Sequence, residues 1–194
     1  TTAGAYSMTA NTKGSNNSAF GVNSLNSNTT GNSNTAVGVK ALFMNTTRSN
    51  LVAIGDSALF YNGTGASAAD DATRNTAVGS KSMLSNTTGN YNTALGFHSL
   101  YSNISAYNNV AIGVRTLYSN STGFNNTAVG TFSLSVNTAG YNNTALGVWC
   151  LPNNTNADNN TSLGAYSMFY NTTGGSNTAV GNNALHNNTI QSNL

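Results

Sequence analysis

Seven residues with binding chemistry recur at one repeating position of this sequence: Lys40, Lys81, His98, Arg115, Phe132, Trp149 and Tyr166. Each stands two places after a glycine, at Gly38, Gly79, Gly96, Gly113, Gly130, Gly147 and Gly164, and most of these glycines are 17 residues apart. Along the chain the set runs from basic to aromatic. Lys and Arg offer point charges and planar forks of donors to anionic groups. Aromatic side chains offer an apolar body to a ligand whose polar edge is met by neighbouring Asn and Thr. The column is therefore a candidate binding stripe for a glycan, anionic where the cations lie. Packing against a partner subunit, or simple solvation, is the competing reading.

Catalysis finds no comparable constellation. The chain has no Glu, and its acids are Asp56, Asp70, Asp71 and Asp158. A nucleophile needs a base within hydrogen-bond reach. His98 and His186 lie five repeats apart, and Cys150 occupies a column of small residues expected to be buried and inert. Phosphate loops, paired-His metal spacing and the dinucleotide fingerprint are all missing. The expectation is a protein that is not an enzyme and uses no cofactor or metal. Asp70, Asp71 and Arg74 fall in the one stretch that breaks the period, residues 66–74. That stretch reads as an exposed, solvated loop, because adjacent carboxylates without further ligands make a poor cation site. The net charge of +2 comes from scattered bases, not the clustered Lys and Arg of a nucleic-acid binder. No apolar run approaches the roughly 20 residues of a membrane span.

What must position these residues is the repeat itself. Charged residues make up 5% of the chain, against roughly 25% in typical soluble proteins, and Asn, Thr, Ser and Gly take their place in strict register. Glycine recurs from Gly4 to Gly181 at intervals of 17, with a single interval of 24 between Gly55 and Gly79. The fourth residue after each glycine is Leu or Met, the one before that is small, and Asn stands three places beyond the Leu. The residue preceding the glycine is apolar, and two places earlier stands Thr or Val, as in Thr76-Ala77-Val78. Alternation with β-branched residues is strand chemistry, and Asn-Thr-Thr-Gly is turn chemistry. The sequence therefore predicts an all-β fold, a parallel β-solenoid of eleven 17-residue coils, as one repeat array over residues 1–194. Each coil is expected to hold two short strands and two turns, with the Thr and Val positions inward and the Ala between them facing a neighbouring surface. Eleven coils about 4.8 Å apart give a rod on the order of 50 Å tall.

Each coil offers only about two large apolar side chains, a thin core against a backbone ordering cost of roughly 1–2 kcal/mol per residue. Extra burial by self-association is expected, and a threefold axis suits a fibre. A second aromatic column, with Phe43, Phe60, Tyr101, Tyr118 and Phe169 one place after the Leu, reads as packing at such contacts. The chain opens and closes within a repeat, and so reads as a segment of a longer fibre.

The runs Leu51-Val52-Ala53-Ile54-Gly55 and Asn109-Val110-Ala111-Ile112-Gly113 resemble the head repeats of YadA-like trimeric autotransporter adhesins. The fuller unit, Asn-Thr-Ala-Val-Gly followed by Ala-Leu and Asn-Thr-Thr-Gly, is similar to repeats of phage tail fibres and large-virus surface proteins. The resemblance spans essentially the whole chain. It implies a left-handed β-roll, a homotrimer, a place on a cell or virion surface outside the cell, and attachment to a host glycan or protein receptor. This unit is slightly longer than the adhesin head repeat, and its Val is mostly Thr. An ice-binding solenoid is the alternative, on the Thr column Thr35, Thr76, Thr93, Thr127, Thr144, Thr161 and Thr178, although inward-pointing threonines would argue against it.

Overall fold

The structure, a computed structural model, describes all residues 1–194. Its eleven strands are β1 (Thr2–Ala3), β2 (Ser18–Phe20), β3 (Thr35–Val37), β4 (Val52–Ile54), β5 (Thr76–Val78), β6 (Thr93–Leu95), β7 (Val110–Ile112), β8 (Thr127–Val129), β9 (Thr144–Leu146), β10 (Thr161–Leu163) and β11 (Thr178–Val180). They form one parallel sheet in sequence order. Pairing joins like to like: Thr35 with Val52, Ala36 with Ala53, Val37 with Ile54. The chain is a β-solenoid in which each coil adds one rung.

Two details of the coil differ from the sequence expectation. The first is the direction of the alternation. The middle alanines Ala36, Ala53, Ala77, Ala94, Ala111, Ala128 and Ala145 are fully buried, whereas the flanking Thr and Val/Ile/Leu positions are half-buried or exposed. Alternation fixes two faces but does not say which is inside. The Leu column decides it, because Leu25, Leu42, Leu59, Leu100, Leu117, Leu134 and Leu151 fill the interior completely. A 17-residue turn leaves space opposite those side chains for little more than a methyl group.

The second detail is that each coil has one short strand and not two, three residues long everywhere but in the two-residue β1. Left-handed residues turn the rest. In the third coil they are Lys40, Leu42 and Asn50, with φ of 56°, 53° and 60°. This conformation costs an L-residue roughly 1–2 kcal/mol, so the neighbouring coils must hold it in place. At Gly38, with φ of 130°, a Cβ would stand 2.5 Å from the carbonyl oxygen of Gly55, so only glycine lets successive coils approach there.

Two asparagine ladders supply that hold. In the first, the Asn28 amide donates to Asn11 Oδ1 at 2.8 Å, Asn45 to Asn28, Asn62 to Asn45 and Asn86 to Asn62. The same amides donate to a carbonyl three residues on, as Asn28 does to Gly31 at 3.0 Å. The run is interrupted once, where Asn103 Oδ1 has no donor. In the second, Asn17 Oδ1 accepts from the Asn34 backbone N–H while its amide donates to the Gly31 carbonyl. Leu51 stands in this column in place of an asparagine. The amides of the first ladder are thus bonded both within their coil and to its neighbours, and those of the second to the following coil, which is the condition for burying them without loss.

The extra residues of the long interval leave the coil after Asn62 and rejoin it at Ala72. The ladder amide that reaches three residues ahead elsewhere reaches ten ahead here, from Asn62 to the Ala72 carbonyl at 3.0 Å. Ala72 and Thr73 are buried again, and Arg74 takes the left-handed place that Tyr91 holds one coil on.

Candidate functional site

The basic and aromatic column exists as a physical line. Each backbone N–H in it donates to the residue after the glycine of the preceding coil: Arg115 to the Phe97 carbonyl at 2.9 Å, Phe132 to Val114 at 3.0 Å, Trp149 to Thr131 at 3.0 Å and Tyr166 to Val148 at 3.1 Å. Every member has φ between 52° and 58°. The tight left-handed turn swings each side chain onto the surface of the rod.

Contacts divide the column into parts. Phe132 and Trp149 stack at 4.3 Å between ring centroids with 10° between planes. Arg115 lies between two aromatics, its guanidinium carbon 5.7 Å from the Tyr118 ring centre and 5.8 Å from that of Phe132. These residues, with Ser119, Ser135 and Val136, line a shallow cleft of about 260 Å³. Tyr166 turns instead toward Phe169, at 5.9 Å. Lys40 and Lys81 are exposed and separated by Ser57, so they make no continuous cationic ladder.

His98 is set apart by its surroundings. It stacks on Phe97 at 3.8 Å and lies 4.8 Å from the Tyr101 ring, and both its ring nitrogens are shielded without a hydrogen-bond partner. Desolvation, with the nearby charges of Lys81 and Arg115, pushes its pKa below the ordinary histidine value. Its surroundings thus disfavour the protonated ring. The second aromatic column runs beside the first, with Phe43 on Phe60 at 5.1 Å and Tyr101 on Tyr118 at 5.2 Å.

Stacking along the axis has a chemical cost for recognition. A ring sandwiched between coils presents its edge outward and spends its faces on its neighbours. Sequence spacing shows where aromatics recur but not that they consume one another's faces. The same holds for a third stack, Tyr107, Phe124 and Tyr141, with centroids 4.9 and 4.8 Å apart and planes within 5°. It lies on another edge of the coil, and its signal was the simple 17-residue spacing of three aromatics. One coil on, Asp158 replaces the ring and accepts from the Tyr141 N–H at 2.8 Å.

In the loop, Asp70 pairs with Arg74 at 2.7 Å, and Arg74 also donates to the Tyr91 hydroxyl. Asp71 accepts from the N–H groups of Ser67 and Ala68. Arg48 reaches from the preceding coil to the carbonyls of Ala66 and Ala68 at 2.6 and 2.7 Å. The loop charges are thus engaged in holding the loop down. Cys150 is buried with Sγ 3.1 Å from Ser162 Oγ, and burial pushes its thiol pKa up, away from the reactive thiolate.

No family model matches the chain, and no curated protein or solved structure matches it either. Function is therefore argued from the geometry.

Proposed function

We propose that this chain is part of a homotrimeric surface fibre that attaches its bearer to a host or cell surface, with the Arg115–Phe132–Trp149 cleft as a glycan contact. The cleft carries the reading. It is the place on the coil surface where a cation, an aromatic stack and hydroxyls converge on one recess. Arg115 suits the carboxylate of an acidic sugar, the exposed margins of Phe132 and Trp149 suit its apolar side, and Ser119 suits its hydroxyls. A regular rod presents such a recess at a fixed height, which is what an extracellular attachment fibre requires. Trp149→Ala tests it: binding to acidic glycans or to cells should fall about tenfold or more with the fold intact, the size of one lost aromatic anchor. Unchanged binding by a folded variant sinks the reading.

One observation favours a second function. The Thr column, expected to point inward, is half-buried or exposed on the outer sheet face, at Thr35, Thr76, Thr93, Thr127, Thr144, Thr161 and Thr178. Outward threonines in register are compatible with binding ice, and thermal hysteresis of the purified chain is the measurement that decides it.

A further inference from the structure

The inverted alternation leaves an unusual surface. The last residue of every strand is apolar and none is buried: Phe20 is 42% exposed, Ile54 39%, Leu95 44%, Leu146 39% and Val180 68%. Just past the glycine, Val22, Val39, Phe97, Val114 and Val148 add to the same face, each at 40% or more. Asp56 is the single charge among these columns. Ten intervals of about 4.8 Å, across the roughly 10 Å of a three-residue strand, give a sheet face on the order of 500 Å², with the Thr column along one margin and the apolar columns beside it. Contiguous apolar patches on monomers rarely exceed a few hundred Å², while a stable interface takes about 800 Å² from each partner.

The eleven coils act as internal controls on what each position needs. The exposed column that holds Tyr107 and Phe124 also accepts Ser15, Asn32, Asp158 and Gly175. The outer strand position accepts only apolar residues. Strand propensity does not account for this, because Thr serves equally well in strands and yet never replaces the Phe or Leu found at Phe20, Leu95, Leu146 and Leu163. Bulky Leu and Phe also break the even surface that ice would need.

We infer that this sheet face is the contact between copies of the same chain. A partner that covers every row must repeat at the same rise over eleven rungs, and a second copy does so by symmetry. The inference locates the self-association of the fibre reading and rests on it only for the expectation that the chain assembles. Loss of glycan binding in Trp149→Ala neither supports nor harms it.

The test is mass in solution. The unaltered chain should run at a multiple of 19.9 kDa, and the combined substitutions Ile54→Lys, Ile112→Lys and Leu163→Lys should reduce it to a single chain with its sheet spectrum retained. Crosslinking provides a readout that does not depend on that variant folding. Leu95→Cys should join copies through a short bis-maleimide, while Thr122→Cys, exposed on a turn away from the sheet, should not. An unaltered chain that stays at 19.9 kDa overturns the inference, and thermal hysteresis in that monomer assigns the face to ice. Equal crosslinking at both positions, or none at Leu95→Cys, also overturns it.

Discussion

The two sides of each coil are built on opposite plans. On the sheet side the interior residue is alanine and the bulk lies outside; on the turn side the interior is lined by paired amides and the outside by threonines. The sheet side leaves apolar surface to be covered, whereas the turn side satisfies itself. Its threonine hydroxyls donate to the next coil's carbonyls, as Thr29 does to Thr46 and Thr138 to Thr155, both at 3.0 Å. The contrast separates two needs of a solenoid: the turn side sets rise and register, and the sheet side is left free for association.

Breaking the turn side should have the largest effect. Asn137→Ala leaves Asn120 Oδ1 without a donor and removes one of the two partners of both the Gly140 carbonyl, which keeps Asn126, and Asn154 Nδ2, which keeps the Ala157 carbonyl. Orphaning one buried acceptor costs about 1–3 kcal/mol and the space vacated by the buried side chain adds to it, so urea unfolding should show a loss of about 2–4 kcal/mol. A loss below about 1 kcal/mol would mean that the ladder is not what holds the turns.

The sheet side offers a sharper contrast between adjacent residues. Ala128 is fully buried and Val129 is not. Ala128→Val should overpack the interior and cost about 1–3 kcal/mol, whereas Val129→Thr in the dilute chain should cost less than about 0.5 kcal/mol. The reverse order would restore the inward valines that sequence alternation first implied.

A smaller effect concerns pH. His98 binds a proton more weakly folded than unfolded, so as pH falls the unfolded chain takes up the proton first. Its contribution to stability is therefore full above the ordinary value of 6.5 and declines as pH drops through it toward the folded value. The melting temperature should fall between about pH 7.5 and about pH 5.5, and His98→Phe should flatten that slope. An equal slope in the variant would place the sensitivity elsewhere.

The coil, its period and its constant columns were legible in the sequence because eleven copies repeat the same signal. The facing of the strand was not, since alanine and valine alternate identically whichever is inside, and only the space taken by Leu117 and its counterparts settles it. The asparagines were legible as turn residues, but their head-to-tail bonding depends on neighbours 17 residues away. Of the candidate column, Arg115, Phe132 and Trp149 come together as spacing implied. The turn of Tyr166 toward Phe169 and the enclosure of His98 follow from side-chain packing, which spacing does not encode.

The first asparagine ladder also has a direction. In each bond the later coil donates and the earlier one accepts, from Asn28 onto Asn11 to Asn188 onto Asn171. During synthesis from the N-terminus, each emerging turn meets an acceptor that the previous one has already fixed, and in turn presents its own oxygen to the next. The rod can thus assemble one rung at a time behind the ribosome, each completed coil serving as the template for its successor.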